Sequence, residues 1–319
     1  MEVRPNPPEV ADDVNLEGSE PVRKAVREIL GHRYPGANFT ILDQVFEHVC
    51  HLFDGKMPGY QACDTKYHDL RHTLDIALAT ARLIDGHDRA ATEPDALGPE
   101  RALIGVITAL LHDSGYILES HDRARTSGAE YTLVHVSRSA RFLARYLPQI
   151  GLGRHVERAT RLVHFTGYEI PLDRLELPDP LDRRLGCMLG SADLMGQMAD
   201  RIYLEKCRDF LYEEFVLAGI TESRNADGTI EVRYSSAVDL LAKTPGFYEN
   251  VARKRLDRIF GGLHEIVATH FRGKNLYREK MERNIAFLKE VVSQGSFERL
   301  RRRSVTLSIA RDPEPRSGS

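Results

Sequence analysis

The chain has 319 residues, of which 42% are hydrophobic and 29% charged. That composition suits a globular protein with a sizeable core and excludes wholesale disorder or a fibrous repeat. Lys and Arg number 44 against 47 Asp and Glu, a net charge of −3, so no global basic field exists to hold nucleic acid or an anionic membrane.

Residues 1–20 carry Pro5, Pro7 and Pro8 and six acids against one arginine, which predicts a flexible acidic arm. The arm has no apolar stretch of the kind that opens a secretory signal. The most apolar run, 102–111, is about half the length needed to span a bilayer. A cytoplasmic protein with no membrane partner is therefore expected. Cys50, Cys63, Cys187 and Cys207 form no CxxC pair, as expected of free thiols in a reducing compartment.

From there the apolar period is helical almost throughout. Ile41 to Phe53 makes one stripe, stopped by Gly55. Leu74 to Ile84 makes a second, stopped by Gly86. Leu103 to Leu111 makes a third, ending near Gly115. Val134 to Leu147 is stopped by Pro148, and Val156 to Phe165 by Gly167. Residues 185–217 hold at least one more long pattern, and 247–271 and 278–292 complete the set. Two longer connections, 87–100 and 170–182, are rich in proline and turn formers, the kind of loop found over functional sites. Asn225 to Gly228, followed by Ile230, Val232 and Tyr234 on alternate positions, predicts a small hairpin. No strand, Gly-rich loop and helix series appears, which argues against a dinucleotide-binding fold. The expected architecture is a compact all-α multi-helix bundle, one catalytic domain over 21–300 with that hairpin near 225–234. A flexible tail follows over 301–319 and begins with the basic run Arg301 to Arg303, read as a solvated helix end.

Histidine and aspartate positions carry the chemistry. His68 and His72 stand four apart in Tyr67-His-Asp-Leu-Arg-His72, a spacing that puts both imidazoles on one helix face. His112 and Asp113 follow a strongly apolar helix, where burying them unpaired would cost several kcal/mol. A metal or an ion pair would remove that cost. His135 opens a helix, His164 follows the apolar pair Leu162 and Val163, and Asp193 sits among small and apolar residues in Gly190-Ser-Ala-Asp-Leu194. Together these five helical regions offer His and Asp donors suited to one or two divalent ions. Other clusters are weaker. His264-Glu265 lacks the second histidine of a zincin helix, since position 268 is Ala268, and His270 lies on another face. His48, Cys50 and His51 have no spaced partner cluster. Arg123 and Arg125 read as a solvated loop.

The ordered series His72, His112-Asp113, His135, His164, Asp193 resembles the HD-domain metal-dependent phosphohydrolase superfamily. Leu110-Leu-His-Asp-Ser-Gly-Tyr116 is similar to its central motif. Tyr67-His-Asp-Leu-Arg-His72, followed by Asp75-Ile-Ala77, resembles the first signature of its cyclic-nucleotide phosphodiesterase branch. The resemblance covers about residues 60–215, with the metal motifs between 67 and 195. It implies an HD-like bundle in which His72, His112, Asp113 and Asp193 hold one ion. Asp113 would bridge to a second ion completed by His135 and His164. His68 would be the general acid, and a metal-bridging hydroxide would attack phosphorus. The implied cofactors are one or two divalent ions, Fe, Mn, Zn, Co or Ni, with Mg a further candidate. The implied partner is a small-molecule phosphate ester, a nucleotide or cyclic-nucleotide phosphodiester first; a homo-oligomer is compatible with it. Two rivals share these residues: a di-iron oxygenase of the same superfamily and a nucleotide-binding module without turnover. The chain departs from both common patterns at position 116, where Tyr stands in place of a further His or a Lys. Gln294 and Phe297 are the weak candidates for a nucleobase site.

Overall fold

The computed structural model describes residues 18–225 and 227–302, together with Val10 and Val14. The other parts of the predicted arm and tail, Arg303 included, lie outside the described residues. The described chain is helical nearly throughout. In order come α1 (Ser19–Arg33), α2 (Ile41–Phe53), α3 (Leu70–Ala90), α4 (Gly98–Leu111), α5 (His135–Gln149), α6 (Val156–Leu162) and α7 (Pro180–Ala199). Then come α8 (Tyr203–Lys206), α9 (Tyr212–Leu217), the strands β1 (Glu222–Arg224) and β2 (Ile230–Val232), α10 (Ala237–Phe247), α11 (Val267–His270) and α12 (Leu276–Gln294). The strands pair antiparallel with Ser223 opposite Glu231, so the predicted hairpin is present. Its alternating Ile230 and Val232 are exposed, so that alternation marks the strand without marking a core face. Among the described residues no helix is long and apolar enough to cross a membrane.

Helix α3 is the central element, packed against α1, α4, α7 and α11. Its buried residues run around the whole circumference, from Leu70 to Asp88, as expected of a helix enclosed on every side. Here the sequence pattern misleads. Gly86 does not end the helix, which continues to Ala90. A Cβ at Gly86 would come within 2.4 Å of the Ile266 carbonyl oxygen, so the glycine admits the turn before α11 against α3. The pattern at 247–271 is likewise not one helix. It breaks into π-helical turns at Tyr248–Ala252 and Arg255–Ile259 and a short 3₁₀ turn at Leu263–Ile266 before α11. α1 starts at Ser19, inside the stretch predicted as arm, and buries Val22, Val26 and Leu30 on one stripe. Pro148 falls in the last turn of α5 without stopping it one residue earlier. All four cysteines are free, Cys187 and Cys207 being buried.

Candidate metal centre

Four elements converge at the N-terminal end of α3. The Asp69 carboxylate accepts from the His72 backbone N–H at 2.9 Å and caps the helix. Helix α3 therefore begins after His68, and the two histidines are not four apart on one helical face as their spacing predicted. They still meet, with ring centroids 5.9 Å apart, because the extended residue at the cap folds His68 back toward the first turn.

The segment after α4 explains its own sequence. His112 caps the last turn, and Ser114 Oγ donates to the Leu111 carbonyl at 2.7 Å. Gly115 is required by packing: a Cβ there would stand 1.8 Å from the His135 carbonyl oxygen. That close approach brings the start of α5 against Asp113. Glu169, which no motif singles out, accepts from the backbone N–H groups of Val136 and Ser137 at 2.6 and 3.0 Å. It thus satisfies donors in the first turn of α5 that have no partner within the helix.

Both flanking imidazoles are held in one orientation by a backbone carbonyl. His112 Nδ1 donates to Ala109 O at 2.7 Å and His135 Nδ1 to Thr132 O at 2.6 Å. Each ring thereby presents Nε2 inward, the arrangement that metal-ligating histidines adopt. His72 Nε2 lies 3.4 Å from Asp113 Oδ2 and 3.4 Å from Asp193 Oδ1. His112 Nε2 lies 3.2 Å from Asp113 Oδ2 and 3.8 Å from Asp193 Oδ1. The other Asp113 oxygen, Oδ1, faces His135 Nε2 at 3.7 Å.

These distances are too long or too poorly aligned for hydrogen bonds. His72 Nε2, His112 Nε2 and Asp113 Oδ2 are all buried with no hydrogen-bond partner among the described residues. Atoms bound at about 2.1 Å to one ion stand roughly 3.0 to 3.4 Å apart, which matches the separations of Asp113 from His72 and His112 and of His72 from Asp193. His72, His112 and Asp113 could hold a metal ion. The electrostatics agree. Burial alone would lower the His72 pKa, yet Asp113 and Asp193 lift it to about 10, so without an ion this ring keeps a proton between two carboxylates. Burial opposes ionisation of Asp113 too, but His112 and His72 hold its pKa well below the usual carboxylate range. Burial lowers His135 and His164.

The predicted residues do not all meet. His72, His112, Asp113 and Asp193 come together, and His135 reaches Asp113 from the other side. His164 has its Nδ1 buried without a partner and lies in no ion pair with either aspartate among the described residues. Asp193 is further tied by Gln197, whose Nε2 donates to Oδ1 at 2.7 Å.

His68 stands apart from the donor group. Its Nδ1 bonds to Glu214 Oε2 at 2.7 Å, and the same buried carboxylate accepts from the Tyr67 backbone N–H at 2.7 Å. Glu214 comes from α9, 146 residues away, and no local signal marks it. Tyr116, at the departure noted in the motif, stacks against both His68 and His135, with ring centroids 4.4 Å from each, while the two imidazoles stand 6.3 Å apart. Burial raises its hydroxyl pKa well above the ordinary value, so it stays neutral.

A cavity of about 360 Å³ opens on this arrangement, lined by His68, Asp113, Tyr116, His135 and Asp193 at the donor group. Gln294 lies away from it, exposed at the end of α12 and bonded to Glu290 and Arg299. The other discounted clusters have partners of their own: His48 bonds the Tyr146 hydroxyl, His264 contacts Glu265, and His270 bonds Asp85. No family model matches the chain, and no curated protein matches it significantly.

Proposed function

We propose that the protein is a metal-dependent phosphohydrolase that cleaves a phosphate ester, with nucleotide esters the class the sequence resemblance favours. The observation that carries this reading is the convergence of His72 Nε2, His112 Nε2 and Asp113 Oδ2, buried, without hydrogen-bond partners among the described residues, and with both imidazoles 3.2 to 3.4 Å from the carboxylate oxygen. Hydrogen-bonded protein interiors rarely leave three such atoms facing one another. His72, His112, Asp113 and Asp193 would hold one ion, and Asp113, His135 and His164 a second. Divalent ions at such a site lower the pKa of bound water and neutralise charge on phosphoryl oxygens.

The chain's own contribution is orientation and proton transfer. Asp113 directs one oxygen to His72 and His112 and the other to His135, as a shared ligand must. Glu214 fixes His68 through Nδ1, which leaves Nε2 as the nitrogen that exchanges a proton with the leaving oxygen. Tyr116 stacks against both the His68 and the His135 ring and so helps to fix their positions.

The same donors beside an apolar cavity also suit a di-iron oxygenase, and metal identity separates the two. The test is a panel of phosphate mono- and diesters, cyclic nucleotides included, offered to protein loaded in turn with Mn²⁺, Fe²⁺, Zn²⁺, Co²⁺ and Ni²⁺. Metal-dependent phosphate release that disappears in Asp113→Ala supports the hydrolase. Iron retention with oxygen consumption and no phosphate release would replace it with the oxygenase.

A further inference from the structure

The cavity that exposes the donor group is mostly apolar away from it. There it is lined by Phe215, Ile220, Leu240 and Phe247, contributed by α9, the segment before the hairpin and α10. Most of the polar side chains that interrupt this lining are already engaged within the protein. Gln197 donates to Asp193 at 2.7 Å and accepts from the Tyr67 hydroxyl at 3.1 Å. Arg255 donates to the carbonyls of Phe165 and Gly167 and lies over the Tyr168 ring at 4.1 Å. Lys243 Nζ donates to the Arg233 carbonyl at 2.6 Å and to Asp239 at 2.9 Å. The hydroxyls of Thr132, Thr166 and Thr244 each donate to a backbone carbonyl of their own turn.

We infer that the organic group of the substrate is apolar, an alkyl or aryl chain that lies along the Phe215, Ile220 and Leu240 wall while its phosphoryl group meets Asp113. This rests on the hydrolase reading for the position of the phosphoryl group and narrows its substrate class away from nucleotides. A nucleobase and ribose carry several donors and acceptors. Burying them against a wall whose polar groups are engaged would leave them unpaired, the situation a selective site rejects most strongly. An alkyl chain loses nothing by the same burial and gains with each methylene.

The experiment measures binding and turnover side by side on the full chain loaded with Mn²⁺. Methyl-, butyl- and octylphosphonate and adenosine 5′-monophosphate are titrated calorimetrically. The corresponding methyl, butyl and octyl 4-nitrophenyl phosphate diesters are offered as substrates. Affinity is expected to rise about fourfold per methylene, with octylphosphonate binding more tightly than the nucleotide. Ile220→Glu should flatten the series, and Phe215→Ala should flatten it in part if the charged variant does not fold. Equal affinity across the series, tighter binding of the nucleotide, or no binding at all would overturn the inference. A chain-length dependence in binding without cleavage of any ester would sustain it while removing the hydrolase reading. Cleavage without chain-length dependence would do the reverse.

Discussion

Helix α3 carries a buried histidine and carboxylate cluster at each end, and the two differ in how their polar atoms are matched. At the C-terminal end Asp85 accepts from Arg33 at 3.1 Å and from Arg89 and His270 at 2.7 Å. Its neighbour Asp88 accepts from His87, Tyr34 and the backbone N–H groups of Leu97 and Gly98, all between 2.6 and 3.0 Å. At the N-terminal end the donors stand 3.2 to 3.8 Å apart, and three of their atoms have no hydrogen-bond partner. The first cluster is complete as protein. The second leaves donor atoms that could hold a cation. Residue type alone does not distinguish a structural cluster from a metal centre; the closure of its hydrogen bonds does.

The comparison breaks most visibly at Asp113. Asp113→Ala should abolish metal retention and turnover, while circular dichroism shows the helical content largely kept. Near-normal turnover in that variant would remove the metal model. His68→Ala comes next, with a fall in turnover of about 10²- to 10⁴-fold and wild-type metal content, because His68 bonds to Glu214 and lies outside the donor group. Equal metal loss in both variants would make His68 a ligand.

Asp85→Asn should act in the opposite sense, sparing metal content while destabilising the fold by about 1 to 3 kcal/mol, since it removes the buried carboxylate that Arg33, Arg89 and His270 share. The pH dependence follows the same residue. Burial favours the neutral acid, but the hydrogen bonds from His270, Arg89 and Arg33 outweigh it and hold the Asp85 pKa at about 2. Its stabilising contribution is therefore complete above the ordinary carboxyl pKa and lost as pH falls toward 2. Denaturant unfolding of wild type and Asp85→Asn across acid pH would show the difference shrink.

At the metal centre the pKa shift is upward instead. The metal-free His72 proton, held up to a pKa of about 10, must leave before an ion binds. Metal affinity should rise with pH through neutrality, about tenfold per unit where one proton is released. A pH-independent affinity would contradict the proton held between Asp113 and Asp193. Smallest of all, Gln294→Ala should change neither metal content nor thermal stability measurably, since its contacts are exposed.

Much of the fold was legible because the helices are amphipathic or wholly apolar, and periodicity reports that directly. Gly86 was misread because its role is a contact with Ile266, 180 residues distant, which no local pattern carries. The segment 247–271 was misread because its π-helical turns keep a near-helical period while shifting the face that is buried. In the site, His72, His112, Asp113 and Asp193 were legible from motif and order. Glu214 and Glu169 were not, since each acts on a partner from another element and has nothing unusual in its own neighbourhood. The Tyr116 departure acquires a physical meaning only in three dimensions, as the ring that stacks against both His68 and His135.

The measurement that tests the central claim most directly is elemental analysis of the purified chain by mass spectrometry, per mole of protein, beside Asp113→Ala and Asp85→Asn. The account predicts one to two transition-metal equivalents in the wild type and in Asp85→Asn, and none in Asp113→Ala. No bound metal in the wild type, and none taken up on reconstitution, would contradict it and leave His72, His112 and Asp113 as buried polar groups without an explanation.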